Sequence, residues 1–231
     1  MHKSQKVFDR LKQHRLIALL TPRTAGECLT AFETLDPLGV VLEVAFRSPA
    51  ALDGLHAVLS KYPDALILAG TVMTPRQAEQ AIEAGVAGVV SADYLPSVVQ
   101  VCVERDVMAV PGGLGDVGKQ LAQKAELYGC EFEQLKTLYP YQWVYKLFPA
   151  ATGSTLYVEL AKAWKGPFSG LTVIYTGGVT FQNLPKIAAL DPEGVFCGSA
   201  LTKGIASPAA MLEEAKRWQA VVRETCRQQS A

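Results

Sequence analysis

Histidine is scarce in this chain of 231 residues: His2, His14 and His56 all lie in its first quarter, and none pairs with a cysteine at ligand spacing. The five cysteines, Cys28, Cys102, Cys130, Cys197 and Cys226, are odd in number and widely spaced, with no C-x-x-C pair. These spacings argue against a zinc site and for reduced, mostly structural thiols. Charge of one sign is also missing, since 22 basic residues balance 22 acidic ones. Nothing in that balance provides the electrostatic footprint that nucleic acid or an anionic membrane surface requires. No apolar run approaches the length of a bilayer span, and the first ten residues, Met1 to Arg10, contain no apolar core of signal-peptide length. Cytoplasm is the expected location.

What the chain does have is core-forming material, with 49% apolar and 19% charged residues. Short apolar runs alternate with longer amphipathic segments, which is the pattern of βα units around a parallel sheet. Strands are expected near 16–20, 40–44, 65–69, 88–91, 107–110, 144–148, 172–175 and 194–197. Helix starts fall between them. Ser48 is expected as an N-cap with Pro49 behind it, Thr74-Pro75-Arg76-Gln77 has the spacing of a capping box, and Pro96 and Pro208 each open a helix. Leu184, Ile187 and Ala188 share one helical face. Eight such units predict an α/β fold, a single-domain (β/α)8 TIM barrel over residues 1–231. The competing open, doubly wound sheet needs a glycine-rich turn after its first strand, and Thr21-Pro22-Arg23-Thr24 is not one. One interval is too long for a simple unit. An excursion from Cys130 to Tyr141 is expected to be an inserted surface helix, a lid or a subunit contact.

The chemistry centres on Trp143 to Ala150, which reads Trp-Val-Tyr-Lys-Leu-Phe-Pro-Ala. It sets Lys146 in a strand buried on both faces, where desolvation would favour the neutral, nucleophilic amine. The alternative for Lys146 taken alone is a stem that snorkels past apolar surface to water. Glu43 interrupts the run Val-Val-Leu-Glu-Val, and a buried carboxylate needs a partner or a task. A structural ion pair with Arg47 or Arg23 is the simplest partner. Catalytic groups of a barrel lie at the C-terminal ends of its strands. There the sequence places Ala69-Gly70-Thr71-Val72, Pro111-Gly112-Gly113, Thr176-Gly177-Gly178-Val179 and Cys197-Gly198-Ser199-Ala200. Glycine turns after the seventh and eighth strands suit an anionic group held by backbone N–H donors.

These residues resemble one family closely. Leu42-Glu43-Val44-x-Phe46-Arg47-Ser48, Ala69-Gly70-Thr71-Val72, Val110-Pro111-Gly112, Tyr145-Lys146-Leu147-Phe148-Pro149-Ala150, Lys165-Gly166-Pro167-Phe168, Thr176-Gly177-Gly178-Val179 and Gly198-Ser199-Ala200-Leu201 follow the order and spacing of the 2-keto-3-deoxy-6-phosphogluconate / 4-hydroxy-2-oxoglutarate aldolases. The resemblance implies a class I aldolase that forms a Schiff base, uses no metal or cofactor, releases pyruvate from a 2-keto acid and assembles as a homotrimer. It makes Lys146 the Schiff-base lysine and Glu43 the general acid/base. It puts Arg47 and Thr71 at the pyruvate end, Pro111 among the substrate-binding residues, Arg23 beside the catalytic glutamate, and Thr176, Gly177, Gly178, Gly198 and Ser199 at the far end of the substrate. The chain departs from the common pattern after strands four, five and seven, at Ala92, Gly115, Gly118 and Tyr175, all near the mouth that sets substrate identity. A phosphosugar isomerase or epimerase on the same barrel, or a non-catalytic metabolite-binding protein, are the competing functions.

Overall fold

The structure is a computed structural model and describes residues 2–229. The side chain of Cys226, expected as a reduced thiol, lies outside the described residues. Eight strands form the barrel: β1 (Leu16–Leu20), β2 (Val41–Ala45), β3 (Ile67–Gly70), β4 (Gly88–Val90), β5 (Met108–Val110), β6 (Val144–Leu147), β7 (Thr172–Tyr175) and β8 (Val195–Gly198). They pair in parallel in the order 5-4-3-2-1-8-7-6. Just beyond β5 the chain pairs with β6 through Gly112↔Lys146 and Gly113↔Leu147, which closes the circle. The fold is a (β/α)8 barrel. Helix α1 (Lys3–His14) precedes it, and α2 (Ala25–Leu35), α3 (Ala50–Lys61), α4 (Pro75–Ala84), α5 (Pro96–Glu104), α6 (Val117–Tyr128), α7 (Phe132–Leu138), α8 (Val158–Lys165), α9 (Leu184–Leu190) and α10 (Pro208–Gln229) follow in chain order.

Strand alternation divides the core in two. Outward residues such as Leu42, Val44, Tyr145, Leu147, Tyr175 and Phe196 pack under the helices. Inward residues, among them Ile17, Val41, Leu68, Val90, Val144, Ile174 and Cys197, fill the barrel, and Val7, Phe8 and Leu11 of α1 join them. The register shows how the interior is stacked. Cys197 partners Ile17, which partners Val41; two residues on is Glu43, whose chain of partners through Leu68 reaches Gly88, two short of Val90. Val90 partners Val110, two residues before Gly112 and its partner Lys146, and Lys146 leads through Ile174 to Val195, two short of Cys197. The circuit closes with the shear of about eight that the fold requires, so Glu43, Val90, Lys146 and Cys197 form one layer from alternate strands.

Two sequence expectations change here. Ser48 does not cap α3; Pro49 takes that place without a side-chain bond, and Ser48 Oγ instead donates to the Pro22 carbonyl at 2.6 Å, tying the loops after β1 and β2 together. Thr74 does cap α4, accepting from Gln77 N, but Gln77 Oε1 turns to Met73 N rather than back to Thr74.

The excursion before β6 works at the opposite end of the barrel from the mouth, so it is not a lid. Helix α7 is fixed by a capping box between Glu131 and Gln134, and the turn Pro140–Gln142 then delivers Gln142 to the edge of β5. Gln142 Nε2 donates to the Val107 carbonyl at 2.9 Å and its Oε1 accepts from Ala109 N at 3.1 Å. One side-chain amide thus makes the bonds that a neighbouring strand would make. Lys124 of α6 completes the seam, donating to the carbonyls of Ala109 at 2.7 Å and Gln142 at 2.9 Å. Both side chains are fully buried. Burial pushes the Lys124 ammonium down to about 7, and a neutral amine has two N–H groups for those two acceptors. Between that value and the unfolded lysine pKa of about 10.4, the unfolded chain binds more protons, so rising pH favours the fold. The stability of the wild type relative to Lys124→Met, read from urea midpoints, should therefore rise from pH 7 to pH 10 and level off below pH 7. A flat difference would mean that the folded state keeps Lys124 charged.

Candidate active site

Glu43 and Lys146 face one another across the layer that the register defines, on β2 and β6, and are only 2% and 3% exposed. Local sequence makes room for both. A Cβ on Gly70 would lie 2.1 Å from Glu43 Oε1, and one on Gly112 would lie 3.2 Å from Lys146 Cδ. Glycine at 70 is therefore a space requirement of the Glu43 side chain, while at 112 it is set first by the Ser91 carbonyl at 2.8 Å and then by Lys146. Lys146 Nζ stands 5.0 Å from the centre of the Phe148 ring and, among the described residues, donates to no protein acceptor. Its N–H groups are left for a ligand. Glu43 makes no ion pair among the described residues with Arg47 or Arg23; its carboxyl receives the Cys197 thiol at 3.7 Å.

Above the layer opens a cavity of about 580 Å³, lined by Arg23, Arg47, Phe148, Thr176, Gly177, Gly178, Cys197, Ser199 and Lys203 among others. Arg47 Nε donates to Thr71 Oγ1 at 3.0 Å. Thr71 is a β-branched residue held at φ +54°, a conformation costing about 1–3 kcal/mol, so backbone strain is spent on aiming the hydroxyl that orients Arg47. Pro111 joins the two ends of the barrel closure, its carbonyl accepting from Lys146 N at 3.0 Å. Arg23 lies on the rim, held to Glu27 by its side chain at 2.8 Å and its backbone N–H at 2.7 Å, away from Glu43. The backbone N–H and guanidinium of Arg23 hold the Glu27 carboxyl below the usual carboxylate range.

At the far side, Gly177 and Gly178 are consecutive left-handed residues, at φ +79° and +76°. A side chain at Gly178 would strike the Ala151 carbonyl at 2.2 Å, so this turn is open to glycine alone. Ser199 starts the turn Ser199–Thr202, and Thr202 Oγ1 donates to the Leu19 carbonyl at 2.6 Å. Gly198 is the one expected far-end residue that packs elsewhere, its α-carbon covered by the Trp218 ring of α10. Sequence reasoning missed Lys203, Phe148 as a cavity wall, and Cys197. Lys203 forms no ion pair among the described residues, which leaves its charge on the same rim as Arg47.

Burial raises the Glu43 carboxyl above its usual range, and the positive charges of Lys146 and Arg47 and the thiol bond oppose that rise. A carboxyl raised toward neutrality can both give and take a proton. Among the described residues no cluster of three or more His, Cys, Asp or Glu could hold a metal, and no helix is long and apolar enough to cross a membrane.

A (β/α)8 barrel with a buried lysine and a buried carboxyl in one layer beneath a cavity suits an enzyme of the lyase class. The chain belongs to the KDPG and KHG aldolase family, whose model matches residues 7–221. It is 28% identical over 197 residues to the 2-dehydro-3-deoxy-phosphogluconate aldolase of Haemophilus influenzae, covering 84% of each chain. It is 31% identical over 190 residues to the protein of the same name from Pseudoalteromonas atlantica, covering 81% of this chain and 78% of that one. Among solved structures, a 4-hydroxy-2-oxoglutarate/2-dehydro-3-deoxyphosphogluconate aldolase from TTHB1 superposes with a TM-score of 0.76 at 29% identity, covering 94% of this chain and 98% of the other.

Proposed function

We propose that the protein is a class I aldolase that cleaves a 2-keto-4-hydroxy acid, 2-keto-3-deoxy-6-phosphogluconate or 4-hydroxy-2-oxoglutarate or both, to pyruvate and an aldehyde. The observation that carries this reading is the placement of Lys146 and Glu43 in one buried layer beneath a cationic cavity. In this scheme the Lys146 amine adds to the C2 ketone, and Glu43 moves protons as the carbinolamine loses water to give an iminium. Glu43 then takes the proton of the C4 hydroxyl as the C3–C4 bond breaks. The bonding pair flows to the iminium nitrogen and the aldehyde leaves. Protonation of the enamine at C3 and hydrolysis return pyruvate and free Lys146. Arg47, held by Thr71, is placed for the substrate carboxylate. Incubation with pyruvate and borohydride, followed by peptide mapping, should put the added mass on Lys146. An unmodified protein, or an adduct on another lysine, defeats the scheme.

The far end of the cavity favours a phosphorylated substrate. Gly177, Gly178 and Ser199 offer short backbone and hydroxyl donors, and Lys203 adds a charge that a dianion would attract. Lys203→Ala should lower kcat/KM for the 6-phospho acid about tenfold, the worth of one charged hydrogen bond, and leave the dephosphorylated analogue within about twofold. Equal losses for both substrates would place Lys203 outside the phosphate contact. Assembly as a homotrimer in the cytoplasm belongs to the same reading and rests on membership of the family.

A further inference from the structure

We propose that Cys197 is a positioning residue for Glu43, its S–H group fixing the direction in which the carboxyl faces Lys146. The inference rests on the reading of Glu43 as the acid/base group. Cys197 is one of the four side chains in the catalytic layer, from the strand that stands two places round the barrel from β2. Its Sγ lies 3.7 Å from Glu43 Oε2, while Oε1 lies against Gly70. The carboxyl is thus held at both oxygens, by a donor on one side and by the close approach of backbone on the other. The charged and titratable groups that face this contact are Lys146 from β6 and Arg47 from the loop after β2, and Thr176 at the end of β7 lies near the Cys197 sulfur.

The thiol suits this task and little else. Buried beside a carboxyl, it is pushed well above the usual thiol range and stays S–H, a donor rather than a nucleophile. A donor on Oε2 favours the charged carboxyl and leaves Oε1 to exchange protons with substrate.

Infrared difference spectroscopy, with Glu43→Gln marking the Glu43 band, would follow the titration of that carboxyl in the wild type, Cys197→Ala and Cys197→Ser. The alanine variant should raise the Glu43 midpoint by about half a pH unit, the size of a weak hydrogen bond, and the serine variant should lie between. The acid limb of the kcat profile should move by the same amount, with kcat down about three- to tenfold and KM within about twofold. If the alanine variant does not fold, the serine variant carries the test, because its shorter C–O bond weakens the contact without deleting the donor. A Glu43 midpoint that does not move in either variant overturns the proposal. A midpoint that moves in a protein without aldolase turnover supports the hydrogen bond and overturns the functional reading instead.

Discussion

Replacing Lys146 with alanine should abolish aldol cleavage, a loss greater than the roughly 10²–10⁴-fold that positioned acid–base groups supply. Without the amine there is no iminium, and the electron pair of the C3–C4 bond has nowhere to go. No neighbouring lysine can substitute within the layer, because the other inward positions are Glu43, Val90 and Cys197. Lys146→Arg should be equally inactive, because it restores the charge but offers no nucleophilic lone pair. A coupled assay for pyruvate release, with circular dichroism to verify the fold, would measure both variants. Activity within tenfold of the wild type in either one would remove Lys146 from the covalent step.

Gly70→Ala should reproduce most of the defect of Glu43→Gln, a loss of about 10²–10⁴-fold in kcat. The glycine touches no substrate in this account. Its added methyl group would lie 2.1 Å from Glu43 Oε1 and 2.6 Å from Glu43 Cγ, distances that no side chain tolerates, so the carboxyl must leave its place in the layer. Displacement of the acid/base group by the width of a methyl group is enough to lose most of its contribution. The backbone at Gly70 is ordinary β3 strand, so the variant should fold, and thermal melting beside kcat would separate the two effects. A Gly70→Ala enzyme with normal kcat would show that the carboxyl has slack that the packing does not suggest.

The sequence reading located all eight strands because each is a short run buried on both faces, and such runs stand out against the amphipathic helices. Lys146 and Glu43 were legible for the same reason, as charges inside those runs. Helix α1 went unread: its apolar residues Val7, Phe8 and Leu11 sit among Lys3, Lys6, Asp9, Arg10 and Lys12, and its role as a floor beneath the barrel depends on strands far away in sequence. Cys197 was read only as one of five reduced, mostly structural thiols. Its direction is set by register with β1, which no local pattern encodes. Arg23 carries a further lesson, since Glu27, one helical turn on, holds it at the rim. Gln142 escaped notice because a side chain that imitates a strand has no sequence signature at all.

That imitation has a consequence for how the protein fails. Over Val107–Ala109 the barrel is shut by a removable amide and a lysine, not by a continuous ladder. Any fluctuation that withdraws the turn carrying Gln142 would bare an unpaired strand edge, the kind of template that recruits a foreign strand. The excursion Cys130 to Tyr141 therefore ends by delivering, in the Gln142 that follows it, the cover of an otherwise open strand edge, at the end of the barrel away from the chemistry.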